Sequence, residues 1–304
     1  MSSTFIPSGP WKYKKHPQTQ KETVYGVPDN AGSYLHMGAL ANITPNTNLE
    51  HEDVPLLGKF RIWKSIYMGI THVINTKYRP INTDLTKRGL LSPAGAGTND
   101  ESINVVDSQM VDNIEKYEMY TGLITTNYVN EITRTGVNVT QDFEAADIKD
   151  FVTTQAALGI AAATVITTDP TDSPWTGISA GPDPIKINGN LENTGRIQFT
   201  GAWGLAKLRP NGTTTVKYQG PSSLRYGVEI QLWLGDVQNL YGSYLKTYNP
   251  IFLQYQITPN VRFEFDTVRL FGYSRSVDAG GTEYQTENYV GMADSDAEVY
   301  GTTY

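Results

Sequence analysis

Few residues in this chain have types and spacings that do chemistry. There is no cysteine, which removes disulfides, thiolate zinc sites, iron–sulfur clusters and a cysteine nucleophile. The four histidines, His16, His36, His51 and His72, are scattered. No pair has the His-Glu-x-x-His spacing that puts two metal ligands on one helix face. His51-Glu52-Asp53 gathers three ligand types, but adjacent strand positions point to alternate sides, so a solvated turn is expected there. Asp294-Ser295-Asp296 opens like a calcium loop without the glycine and terminal glutamate that complete one. No nucleophile elbow, phosphate-binding loop or dinucleotide fingerprint is expected, and Gly95-Ala96-Gly97 lacks the helix and acidic partner that would make it one. No cofactor or metal is therefore expected. A carboxylate pair for glycoside hydrolysis stays open, because no spacing in sequence establishes one. So does sugar binding on tyrosine-rich loops, since aromatic faces stack on sugar rings.

Composition narrows the field further. The chain has 304 residues, 19 of them tyrosine and 28 glycine, and only 18 % are charged, below the roughly 25 % of ordinary soluble domains. Lys+Arg number 24 against 31 Asp+Glu, a net charge of −7, which argues against a sequence-independent binder of duplex DNA. Lys12 to His16 form a short basic stretch that reads as a solvated arm. No apolar stretch follows it, so no signal peptide is expected, and no run of 18 apolar residues crosses a membrane as a helix.

The elements that must position any site show mainly period two. Leu224, Tyr226, Val228, Ile230, Leu232 and Leu234 alternate with Arg225, Gly227, Glu229, Gln231 and Trp233. That is a strand with one buried face. Ile251–Ile257 and Val261–Phe265 repeat the pattern, as do Ile197–Leu205 and Val137–Phe143, and less regular strands are expected over 34–43 and 60–74. One segment switches period: Val237, Leu240, Tyr241, Tyr244 and Leu245 fall at helical spacing, predicting a three-turn helix over 237–247 that packs on the sheet through those residues. Asp236 would cap it and Asn249-Pro250 would end it. The expected fold is mainly β, an antiparallel β-sandwich or barrel with one flanking α-helix. An N-terminal arm covers 1–33, the sandwich 34–274 with long loops near 80–112 and 149–184, and a C-terminal arm 275–304. That tail is either disordered or, given Tyr284, Tyr289, Val290, Met292 and Tyr300, docked on a neighbouring subunit.

The order of elements resembles a known family. Gly32-Ser33-Tyr34-Leu35-His36-Met37-Gly38 opens into a strand. The pair Tyr120-Thr121-Gly122-Leu123-Ile124-Thr125-Thr126-Asn127-Tyr128 and Val137–Ile148 follows, then Ile185–Gly189, Ile197–Leu205, 224–234, 237–247 and 250–271. This arrangement is similar to the tail tube proteins of tailed phages and related viruses, with 149–184 longer than that family's core. The resemblance implies a structural virion protein, not an enzyme, made in the host cytoplasm and placed in the viral tail. It implies hexameric rings of the chain that stack into a tube, contact other tail proteins, and pass double-stranded DNA without specific binding or a membrane.

Edge strands would then pair between subunits, where closed rotational symmetry limits their recruitment of other chains. An acidic or neutral bore would let DNA slide, and Glu229, Gln231, Glu264 and Asp266 are the candidate lumen residues, with an interface role as the alternative. Other readings are a capsid or tail-decoration β-sandwich, or a carbohydrate-binding module or glycosidase.

Overall fold

The computed structural model describes residues 13–29, 33–55, 62–91, 101–111, 114–133, 135–161, 174–175, 185–191, 194–210, 216–233, 240–258, 261–277, 285–294 and 297–300. Among these residues it is mainly antiparallel sheet, 73 % strand, with few helical elements. The strands, in chain order, are β1 (Tyr13–Lys21), β2 (Leu35–His36), β3 (Ala39–Pro55), β4 (Ile62–Arg79), β5 (Ile103–Val111), β6 (Ile114–Thr133), β7 (Gly136–Ala145) and β8 (Asp147–Val152). They continue as β9 (Ile185–Ile187), β10 (Asn190–Leu191), β11 (Thr194–Leu208), β12 (Tyr218–Trp233), β13 (Ile251–Thr258), β14 (Val261–Val277), β15 (Gln285–Ala293) and β16 (Ala297–Tyr300).

Hydrogen bonding joins them in one path, β10-β9-β13-β14-β15-β12-β11-β6-β5-β1-β2, with β7, β4 and β3 branching from β6. The path curls until its inner faces meet. Phe199 on β11 stacks on Phe265 of β14 with ring centroids 5.0 Å apart, and Tyr226, Tyr255 and Phe263 close round them at 5.8–6.4 Å. The period-two positions account for this: Ile197, Phe199, Val228, Ile230, Leu253, Tyr255, Phe263 and Phe265 are all buried. Edge-on and offset aromatic contacts of this kind contribute about 0.5–1.5 kcal/mol each beyond the area they bury.

The helical part differs from expectation. Of the 237–247 segment, Val237 and Asp236 lie outside the described residues, and the rest is a π-helical turn over Tyr241–Leu245. Lys246 N–H donates to Tyr241 O at 3.0 Å and Asn249 N–H to Tyr244 O at 3.1 Å, both i→i+5. Leu240 is buried and Tyr244 and Leu245 pack against the core, whereas Tyr241 is exposed with its ring 4.8 Å from that of Tyr273. Spacing alone does not separate i→i+4 from i→i+5 over so short a run, and the contacts to the core decide between them.

The α-helix, α1 (Asp84–Leu90), sits where a loop was expected. Asn82 Oδ1 accepts the Asp84 N–H at 3.1 Å, Asp84 lies in the first turn, and Lys87 and Arg88 lie in the last, so both ends suit the helix dipole. Seven residues give too few turns for a periodic signal. The helix presses on the inner face: Trp203 Nε1–H donates to Gly89 O at 2.9 Å and Tyr226 Oη–H to Leu90 O at 2.6 Å.

Both expected arms carry paired strands. β1 pairs with β5 and β2, and β15 lies inside the sheet between β12 and β14. The 80–112 loop holds α1 and β5, and 149–184 begins with the end of β8 and a 3₁₀ turn at Gln155–Leu158.

Candidate functional site

Three regions carry polar or exposed side chains in organised form. The first is the outward face of β4, β7, β6, β11, β12 and β15. Registers align its residues in rows: Asn75–Asp142–Asn127–Ala202–Arg225, then Lys77–Thr140–Val129–Thr200–Gly227–Met292, then Asn138–Glu131–Gln198–Glu229–Val290, then Thr133–Arg196–Gln231–Asn288. Glu229 and Gln231 therefore belong to one broad surface. Its charges balance, with Lys77, Arg196 and Arg225 against Glu131, Asp142 and Glu229. Arg196 lies 2.6 Å from Glu131 and 3.9 Å from Glu229, tying the charges of three strands together. Asp142 accepts from Asn75 at 2.7 Å and Asn127 at 3.3 Å, and Asn75 accepts from Asn46 at 3.0 Å. This surface is neutral, dense in amides and hydroxyls.

Glu264 and Asp266 do not join it. Phe265 stacks on Phe199 across the core, so the outward side of β14 at this level faces away from the outward side of β11 and β12. Glu264 pairs with Arg262 at 2.8 Å, and the Arg262 guanidinium lies 4.4 Å from the Tyr300 ring centroid. One bore cannot be lined by both pairs.

The second region is a cleft of about 330 Å³ lined by Lys21, Glu22, Tyr25, Glu101, Tyr218 and Gln219, among others. Glu22 is 4 % exposed and fully engaged. Its carboxylate accepts from Gly26 N–H at 2.9 Å, Ser102 Oγ–H at 2.6 Å and Gly122 N–H at 3.0 Å. Burial raises its pKa above the usual carboxylate value, against the lowering effect of those hydrogen bonds. Gly122 has φ +65°, and a Cβ there would meet Ala146 at 2.5 Å, so Glu22 holds in place an irregularity of β6, at the register shift between β5 and β6, that only glycine fits. Lys21 pairs with Glu101 at the cleft wall, and Tyr25 packs on Tyr218 with centroids 5.9 Å apart. The two carboxylates are thus occupied by the fold, one with the backbone at the β6 irregularity and one with a cation.

The third region is a ribbon. β4 pairs with β7 only from His72 to Tyr78, while β3 and β4 continue to pair with each other out to Pro55 and Ile62. Residues 48–55 and 62–71 therefore leave the body as a two-stranded arm. Eight residues at ~3.3 Å each give it about 25 Å of reach. Leu49 is 64 % exposed, Ile62 54 % and Met68 47 %, with Ile66 and Tyr67 exposed beside them. His51, Glu52 and Asp53 lie here, on a strand and not a turn, with His51 Nε2 3.9 Å from Asp53 Oδ1. Among the described residues no group of three metal-binding side chains is found. At the base of the ribbon Arg209, from the end of β11, forks onto Glu50, with Nη2–Oε1 at 2.9 Å, and Thr71 Oγ1–H donates to the same carboxylate. These bonds lower the Glu50 pKa to about 2.

The strand expected over 60–74 overlaps the β4 half of this ribbon, whereas the β3 half, residues 48–55, lies beyond the strand expected over 34–43 and includes the turn expected at His51–Asp53. The ribbon's separation from the body is not legible either, because register with β7 is not written in β4. Contrary to the expectation of no nucleophile elbow, Gly177-Ile178-Ser179-Ala180-Gly181 has the Gly-x-Ser-x-Gly pattern. It lies outside the described residues. The strand–turn–helix of a parallel α/β sheet that such an elbow requires has no counterpart in the antiparallel sheet described. No protein-family model matches the chain, and no curated protein matches it.

Proposed function

We propose that the chain is a structural, non-enzymatic subunit that assembles with copies of itself into stacked rings, the tail tube of a tailed virus. The observation that carries this reading is the ribbon of residues 48–55 and 62–71. It holds large apolar side chains in water, and each of its edges offers a row of N–H and C=O groups. An isolated two-stranded ribbon is marginal on its own, and an exposed edge recruits further strands. Self-assembly uses both features, whereas a monomeric binding module bears them as a liability.

The broad neutral face supports the same reading. A surface of paired charges and amides offers a sliding duplex no net cationic site at which to release counterions. Of the four candidate lumen residues, Glu229 and Gln231 lie on that face and are retained. Glu264 and Asp266, on the opposite layer, are assigned to the exterior or to a subunit contact.

Negative-stain electron microscopy of the purified protein at low and high concentration tests the proposal. Rings or hollow tubes of uniform bore are expected. Closed shells would move the chain to a capsid role, and a monodisperse monomer at every concentration would overturn self-assembly.

A further inference from the structure

We propose that the outer edge of β3 in the ribbon adds as a strand to the outer edge of β1 in a second copy of this chain. The inference rests on the self-assembly reading and names the two surfaces that meet. β3 pairs with β4 alone, so its other edge is open along the whole ribbon among the described residues. β1 pairs with β5 on one side. On its other side β2 covers Gln18 and Thr19, and Met37 N–H bonds Pro17 O, which leaves Tyr13–His16 without a partner strand among the described residues.

Charge selects this pair of edges from the others. The β3 edge reads Leu49-Glu50-His51-Glu52-Asp53-Val54 and has no lysine or arginine. Glu50 is committed to Arg209, and Asp53 Oδ1 accepts from Ser65 Oγ–H, which leaves Glu52 and the second oxygen of Asp53 for a partner. β1 reads Tyr13-Lys14-Lys15-His16. The other short edge strands are unsuited: β8 carries Asp147 and Asp150 and its one cation, Lys149, donates to Leu158 O at 2.8 Å, β16 carries Glu298, and β10 is Asn190-Leu191. Main-chain hydrogen bonds supply affinity in strand addition, and cross-strand charges set partner and register. The contact joins two different surfaces of the same chain, so it is head-to-tail. It therefore propagates from copy to copy, or closes only where symmetry allows.

The absence of cysteine makes the test clean. Directly opposed strand residues have Cα atoms about 4.5–5.5 Å apart, within disulfide range. Chains carrying Lys15→Cys together with His51→Cys, Glu52→Cys or Asp53→Cys are oxidised and run without reductant. At least one is expected to give a ladder of covalent multimers.

In parallel, the pairs Glu52→Lys/Asp53→Lys and Lys14→Glu/Lys15→Glu are each expected to raise the concentration of half-assembly by about tenfold or more by sedimentation velocity. An equimolar mixture of the two variants should assemble at close to the wild-type concentration, because each arm then meets an edge of opposite sign. Assembly at unchanged concentration in both charge variants, with no ladder from any cysteine pair, overturns this pairing while leaving the tail-tube reading intact. Loss of thiols without multimers places the contact within one chain and also overturns it. A wild-type chain that stays monomeric throughout overturns both.

Discussion

Replacing Gly201 by alanine tests how α1 is seated in the curled sheet. A Cβ at Gly201 would lie 2.3 Å from the carbonyl oxygen of Gly89, so about 1 Å of separation must be found. Gly89 has nowhere to retreat. Its own Cβ position is 2.2 Å from the Tyr128 ring, its carbonyl holds Trp203 Nε1–H at 2.9 Å, and the next carbonyl holds Tyr226 Oη–H at 2.6 Å. Overpacking a tight core costs about 1–3 kcal/mol. Straining two buried hydrogen bonds adds about 1 kcal/mol each, for a total of about 3–5 kcal/mol. Melting entropy is about 2.1 cal/mol/K per residue, so a chain of 304 residues has about 0.64 kcal/mol/K. Gly201→Ala should therefore lower Tm by about 5–8 °C in calorimetry at dilute concentration. Gly227→Ala is the matched control, because its Cβ would make ordinary contact, 3.5 Å from Thr200, and a shift under about 1 °C is expected. Equal melting of wild type and Gly201→Ala would refute the seating of α1 against β11.

Three more outcomes follow from contacts described above. Trp203→Phe removes the donor to Gly89 O and should cost about 1–3 kcal/mol in urea unfolding, with α1 amides exchanging faster; unchanged exchange contradicts the contact. Glu22→Gln places an amide NH₂ among three donors and should cost about 1–3 kcal/mol. The native Glu22 pKa is raised by burial, so its contribution is full below the unfolded value of 4.5 and declines as pH rises through the native value. The deficit of Glu22→Gln should therefore shrink between pH 4 and pH 7, and a growing deficit would refute it. Glu50, lowered to about 2 chiefly by its hydrogen bond to Arg209, stabilises the ribbon base above pH 4.5 and loses that contribution as pH falls through about 2. Arg209→Ala should speed amide exchange over residues 62–71 by a few-fold at pH 7, as suits a partly exposed pair.

Where one face of a strand is buried and the other wet, the sequence spells out the strand. Leu224 to Leu232 alternates with polar residues because the inner face of β12 meets Phe265 and the outer face meets water, and alternation records that difference. β15 hid for the opposite reason. Val290 and Met292 are exposed beside buried Tyr289, so apolar side chains stand on both faces and the pattern flattens into what reads as a tail. α1 was too short to show a period, and its seat depends on glycines 112 residues apart that meet only in the fold, Gly89 and Gly201. Among the lumen candidates, Glu229 and Gln231 share a face because they are two apart on one strand. That β14 turns its outward side to the opposite layer is a property of sheet curl, which no strand encodes alone. The Arg209–Glu50 fork, 159 residues apart, is invisible to any local reading.

The topology also orders events in time. β3 and β4 pair with each other across a short connection, so both strands of the ribbon are present once residue 79 has been synthesised. β12 waits for β15, residues 285–293, to complete the curl. At about 5–20 residues per second, the 214 residues between positions 79 and 293 take about 10–40 s to synthesise. During that interval both ribbon strands are present while the body that steadies them is unfinished. Local pairing forms fast and non-local closure late. Glu52 and Asp53 along the ribbon's edge set like charge against like where two such edges meet, which disfavours pairing of one β3 edge with another.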